Sequence, residues 1–282
     1  MKEVSEFSID EVIQEIKDIV DFTERKEEYS NLTFFALLYL YVTVQIRESL
    51  KNNNVDSKYK FEDPERMKRL DVIFAKRYIN AFHNWMSGKD VTNSWRKAFE
   101  FGKNEEGMII QHLLLGMNAH INLDLGIATV EATSYDNDGN EAKCFYKNFN
   151  SIIKDFTIIN EVLNDLTEAV EDCLAESSLI FKWIKKYGKG KQDLIANFSI
   201  KYARTGAWYF ATFYRKNTIL KAIEERDEIV SELAEKLKGN QSVLIKLLVI
   251  LGILSEKNTV NKFIPKMKTA LGDITKVKFD DI

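Results

Sequence analysis

His112, Gly116, His120 and Asp124 follow one another at four-residue steps in the stretch Gln111-His-Leu-Leu-Leu-Gly-Met-Asn-Ala-His-Ile-Asn-Leu-Asp-Leu-Gly-Ile-Ala128. On an α-helix each such step turns by about 40°, so the four positions make one slowly winding row. His120 and Asp124 are neighbours on that row, and their side chains can meet. His112 lies two turns earlier, about 12 Å along the axis. Gly116 removes side-chain bulk between them, which lets a ligand, a metal or another backbone approach.

Imidazole and carboxylate in one row suit three kinds of role. With Asp71 and Asp155 they form a ligand set for one or two ions of zinc, manganese or iron, His120, Asp124, His112, Asp71 and Asp155 being the candidate ligands. A metal-bound water would then attack a small or lipid-like ester or phosphoester. In that metal-dependent hydrolase His112 and Asp71 are ligands or acid–base partners, and Arg204 anchors an anionic substrate group. An iron or manganese oxidase of helical-bundle type is a related expectation. Without a metal, the aspartate orients the imidazole for acid–base work. The third role is a hydrogen-bond network that fixes helix register. A non-catalytic alternative also stands, in which the central helix with Phe34, Phe35, Trp85 and Trp208 lines a pocket for an apolar small molecule.

These residues need helices to position them. Leu113, Leu114, Leu115, Met117, Ile121, Leu123, Leu125 and Ile127 cover most of the circumference of a helix over 105–132. A helix that is apolar all round is a central one. Ser8 and Glu11 form a capping box ahead of a helix over 9–27. A second helix spans 32–53. Asp63-Pro64 starts a third, running to Met86, whose stripe of Met67, Phe74, Tyr78 and Phe82 also contains Asp71. Asp90 to Thr92 opens a short helix through Phe101. Beyond the central helix the pattern predicts helices over 145–187, 192–216, 218–238 and 241–255, then a less regular tail. Arg204 is in line with Asn197, Trp208 and Ala211.

Composition agrees with an all-α fold. The 282 residues include only two prolines and twelve glycines, too few for the turns of an all-β domain. We expect one multi-helix, bundle-like domain around a buried central helix, with a core over about 8–230 and the C-terminal helices over 218–282 packed on it. Forty basic and 43 acidic residues leave a net charge of −3, which gives no basic field for nucleic acid. Cys144 and Cys173 are in no C-x-x-C arrangement and read as reduced thiols of a cytoplasmic protein. The longest apolar run, Val243 to Leu254, is too short for a bilayer, so no transmembrane segment is expected. Neither a Gly-x-Ser-x-Gly elbow nor a Gly-rich phosphate loop occurs.

Three stretches carry a family resemblance: Arg66-Met-Lys-Arg-Leu-Asp-Val-Ile-Phe-Ala-Lys-Arg-Tyr78, the Gln111–Ala128 stretch quoted above, and Asp155-Phe with Asn160. Over roughly residues 8–230 the chain resembles a bacterial family known only as a domain of unknown function (DUF5995). Phe198-Ser and Ala203-Arg match more loosely, because Thr205-Gly206 stands where the family has an acidic residue. The His120-x-x-x-Asp124 pair is similar to the zinc-binding pair of helical zinc-dependent phospholipase C and P1-type nucleases. That resemblance implies a zinc hydrolase. The chain's three histidines are too few for the three-metal cluster of those enzymes, so only a reduced site of one or two metals is compatible with it.

Overall fold

A computed structural model of the chain describes residues 8–53, 58–104, 107–134, 152–178, 182, 205–211, 219–239, 243–256 and 260–282. Among the described residues the regular structure is entirely helical. The expected all-α class holds.

Helix α1 (Ile9–Arg25) begins on the expected capping box: Glu11 N donates to Ser8 Oγ at 3.2 Å, and Ser8 N donates to Glu11 Oε2 at 2.6 Å. A 3-10 turn (Glu27–Leu32) leads into α2 (Thr33–Lys51), which is buried on nearly every side. Helix α3 (Pro64–Met86) carries Pro64 at its first position, where no amide hydrogen is needed. Helix α4 (Asn93–Asn104) follows. The central helix α5 (Ile109–Thr133) is buried at every residue from Gln111 to Val130. After it come α6 (Ile153–Ser177), α7 (Ile219–Leu237), α8 (Val243–Glu256) and α9 (Val260–Thr275).

Helices α2, α3, α4 and α7 surround α5, while α1 packs on α2 and α3. Helix α9 lies against α6 and α2. The tail was expected to be less regular, and α9 corrects that. Pro265 sits inside it and removes one backbone hydrogen bond. The helix nevertheless continues, because Phe263, Met267 and Leu271 share one fully buried face. Packing outweighs the break.

By length and composition two helical stretches, Glu27–Lys51 and Ile109–Thr133, could cross a membrane. Their apolar windows are 83% and 100% buried inside the fold, so protein already covers the surface that lipid would cover.

Remote carboxylates cap three helix N-termini. Asp155 on α6 accepts from Glu62 N at 2.6 Å and Asp63 N at 3.1 Å at the start of α3. Asp227 on α7 accepts from Asn93 N at 2.6 Å and Ser94 N at 2.9 Å at the start of α4. Glu256 on α8 accepts from Ile109 N at 2.8 Å at the start of α5. Each helix start has amide hydrogens without intrahelical partners and a partial positive charge, and a carboxylate answers both.

Gly116 on α5 has its close neighbour, and it is a side chain from α2. A Cβ at Gly116 would stand 2.3 Å from Phe35 Cγ. The Phe35 ring therefore lies directly on the central backbone. We predict that Gly116→Ala lowers folding stability by about 1–3 kcal/mol through overpacking. Urea unfolding checks this, and an unchanged midpoint at unchanged slope would refute the close approach.

Candidate functional site

Helix α5 is not uniform. His120–Asp124 forms a π-helical turn between the α-helical segments Ile109–Ala119 and Leu125–Thr133. Such turns widen the helix and recur at functional sites. Around this one the helix is tied sideways to α7. Arg226 Nε donates to the Asn122 carbonyl at 2.7 Å, and Asn118 Nδ2 donates to the Val230 carbonyl at 2.8 Å. The polar residues on this side of α5 thus serve as interhelical fasteners.

Asp124, at the end of the turn, is 1% exposed. Its Oδ1 accepts from Arg77 Nε on α3 at 2.8 Å. Its Oδ2 accepts from Trp95 Nε1 on α4 at 2.8 Å and lies 3.4 Å from His120 Nδ1. Burial alone would push this carboxyl up. Arg77's charge, His120 and the Trp95 donor outweigh burial and hold it below the usual carboxylate range. Asp124 is therefore an anion, and an anion only accepts hydrogen bonds.

That fixes His120. Its Nδ1 proton faces Asp124, and its Nε2 keeps a lone pair. The ring stacks on Phe74 at 3.6 Å between centroids and meets Tyr39 edge-on at 4.3 Å. Phe35, Tyr78 and Trp95 complete an aromatic shell. Burial lowers its pKa despite Asp124, so the ring is neutral at pH 7. His120 Nε2 is buried without a hydrogen-bond partner.

This imidazole lines a narrow hollow whose cavity volume is about 30 Å³. Helices α2, α3, α5 and α6 wall it, and nearly all of its surface is apolar. Among the described lining residues, Phe74 alone is not fully buried. Two further polar residues share the wall, Asp71 and Tyr39. Asp71 Oδ2 and Tyr39 Oη are also buried without partners. With no donor bonded to it among the described residues, burial pushes the Asp71 carboxyl up to about 8. Burial also raises Tyr39, and the nearby Asp71 charge adds to that.

The expected five-residue metal set is not gathered here. Asp155 spends both oxygens on the α3 amides, and Arg66 Nη2 lies 3.5 Å from it. Asp124 is spent on Arg77 and Trp95. His112 faces a second, smaller hollow on the other side of Phe35, among Phe99, Trp95 and Gly102. Among the described residues no three of His, Cys, Asp and Glu are grouped so as to hold a metal. Of the expected site residues, His120 and Asp71 share the hollow and Asp124 stands directly behind His120. Arg204, the expected anion anchor, lies outside the described residues, as does Cys144. Sequence reasoning missed Arg77, Trp95 and Tyr39. A signal existed for one of them, since a buried indole N–H needs an acceptor.

A family model described as a family of unknown function (DUF5995) matches residues 9–240. No curated protein and no solved structure matches the chain.

Asp71 and Asp124 give opposite predictions. The folded chain holds a proton on Asp71 that the unfolded chain releases at neutral pH, so this carboxyl costs stability as pH rises toward 8. Asp71→Asn raises stability at pH 7 by about 2–4 kcal/mol. Asp124→Asn strips Arg77 of its buried partner and lowers stability by about 2–3 kcal/mol; the cost is less than for a wholly buried pair because Arg77 is 26% exposed. Chemical denaturation of both variants at pH 7 measures the two signs. If both destabilise, Asp71 is partnered after all.

His112 supplies a pH test. No hydrogen bond of good geometry reaches either ring nitrogen. Burial pushes its pKa down to about 4, with a weaker opposing pull from the Gly107 backbone. Between the ordinary histidine value and pH 4 the unfolded chain binds the proton and the folded chain does not. Stability is therefore lost as pH falls through that window, by up to about 3 kcal/mol. His112→Leu should remove that share of the acid dependence in denaturation curves taken from pH 7 to 4, and an identical slope would contradict the assignment.

Proposed function

This chain belongs to the DUF5995 family of unknown function, and since that membership assigns no activity we propose a role from the site itself: it binds a small, mainly apolar molecule. The molecule lies in the hollow between α2, α3, α5 and α6. Its one polar group sits against His120 and Asp71.

A single observation carries this reading. Two titratable side chains, each 2% exposed, present unpartnered polar atoms on the wall of an otherwise apolar hollow. Leaving a buried polar group unpaired costs about 1–3 kcal/mol. A chain gains nothing in folding from two such groups on one wall. A ligand that widens the narrow hollow and supplies the missing partners accounts for them. Leu38, Val42, Leu70, Met117, Ile121 and Leu163 would cover its apolar part. A metal-dependent hydrolase would need ligands that are spent elsewhere in this fold, so the binding role is preferred.

The alignment of Asp124 behind His120 favours a second reading, which extends the first. A carboxylate on Nδ1 makes Nε2 a proton acceptor, the arrangement of a general base. A bound molecule with an acidic hydrogen facing Nε2 would be deprotonated there.

The test is ligand-observed NMR with 1-butanol and phenol at millimolar concentration. Saturation transfer from protein to probe is expected for at least one of them. Leu163→Trp fills the hollow and should abolish it, with folding checked by circular dichroism. Absence of transfer to either probe, or transfer that survives the filled hollow, would remove the binding role.

A further inference from the structure

We propose that α8 docks this chain onto an anionic lipid membrane, with Ile250, Leu251 and Leu254 entering the boundary between headgroups and acyl chains. The inference is independent of the binding role above and concerns a different part of the fold.

Helix α8 is fastened to the fold by the wrong residues for an ordinary packing helix. Gly252 and Glu256, one turn apart, are both buried. A Cβ at Gly252 would collide with Met108, and Glu256 Oε2 accepts from Ile109 N at 2.8 Å. Ile250, Leu251 and Leu254 are instead 52%, 55% and 61% exposed. Helical geometry puts these three within an arc of about 100°, centred nearly opposite the Gly252 and Glu256 side. A surface helix normally turns its apolar stripe inward. Here the fastened side is small and acidic, and the aliphatic ridge faces outward. An apolar surface of that kind marks a place of contact.

Charge beside the ridge selects what it contacts. Ser255 Oγ on α8 is 3.4 Å from Ser178 Oγ, where the chain leaves α6. Lys182 follows, exposed, its amide donating to the Ser178 carbonyl at 2.9 Å. It opens a stretch, 182–216, that holds nine lysines and arginines and one carboxylate, Asp193, in a chain whose net charge is −3. Most of this stretch lies outside the described residues, and its charge is read from the sequence. Anionic headgroups attract such clusters. Trp183, Tyr187 and Tyr209 belong to the same stretch, and side chains of these types collect at the headgroup level. A second copy docked ridge to ridge would bring two cationic stretches together. Nucleic acid would answer the charge and leave the three aliphatic side chains without a partner. A lipid surface answers both. With 14 residues α8 is about 21 Å long, short of the roughly 30 Å of a bilayer's hydrocarbon core, so it lies along the surface.

The test is co-sedimentation of the full chain with vesicles of phosphatidylcholine alone and of phosphatidylcholine mixed with phosphatidylserine, at an ionic strength of about 0.15 M. Partitioning onto the mixed vesicles should be at least tenfold stronger, and added salt should weaken it. Leu251→Glu with Leu254→Glu should lower it at least tenfold. Both side chains are more than half exposed, so the fold should persist, and circular dichroism checks that. The unaltered chain decides the matter alone if the variant does not fold: no binding to the mixed vesicles, or equal binding to both kinds, overturns the proposal. Undiminished binding by a folded variant also overturns it. So does a dimer of the unaltered chain that the variant converts to monomer in sedimentation velocity, which would make the ridge an interface between copies. Retention of duplex DNA at a salt concentration that releases the vesicles would assign the cationic stretch to nucleic acid and overturn the lipid assignment.

Discussion

One buried negative charge organises this molecule. Asp124 sits inside a helix that is apolar on every side, where an unpaired carboxylate would be prohibitively costly. It is tolerated because α3 sends Arg77, α4 sends Trp95 and its own turn sends His120. The carboxylate therefore locates three helices relative to one another. It also decides the state of His120, whose outward nitrogen is bare because its inward one faces an anion. The π-helical turn carries both residues at its two ends, so the local widening of α5 and the site geometry are the same feature.

Other carboxylates in the chain show what ordinary structural use looks like. Asp155, Asp227 and Glu256 each cross from a later helix to the amide hydrogens at the start of an earlier one. Their bonds fasten the C-terminal half of the chain onto α3, α4 and α5. Asp71 differs from all of them. It has comparable burial and no donor among the described residues, and burial accordingly drives its proton affinity up. Natural chains carry such costs where function requires them. The difference between a capped carboxylate and an orphaned one separates scaffold from site in this fold.

Much of the architecture was legible in the residues. The all-round apolar character of α5, the capping box at Ser8 and the Asp63-Pro64 start all became helices near the expected bounds. The meeting of His120 with Asp124 followed from their spacing. Asp71 reads as a buried acid from its place in the Met67–Phe82 stripe, and it is 2% exposed. What the spacing could not supply was partnership across distance. Asp155 reads as a buried acid in its own helix, but its partners lie 92 and 93 positions earlier in the chain. His112 shares a row with His120, yet Phe35 drops onto Gly116 between them and puts the two rings in separate hollows. The tail over 256–282 reads as less regular, and tertiary burial of Phe263, Met267 and Leu271 carries a helix through Pro265. In each case a long-range contact overrode a local rule.

The central claim is that burial keeps His120 neutral while Asp124 holds its proton on Nδ1 and leaves a free lone pair on Nε2. Nitrogen-15 NMR of histidine-labelled protein reads both ring nitrogens directly. The account predicts, for His120, a protonated Nδ1 and a bare Nε2 at pH 7, with that pattern unchanged as the pH is lowered past the ordinary histidine value. A proton on Nε2 at pH 7, or a His120 ring that titrates like a free histidine, would contradict it.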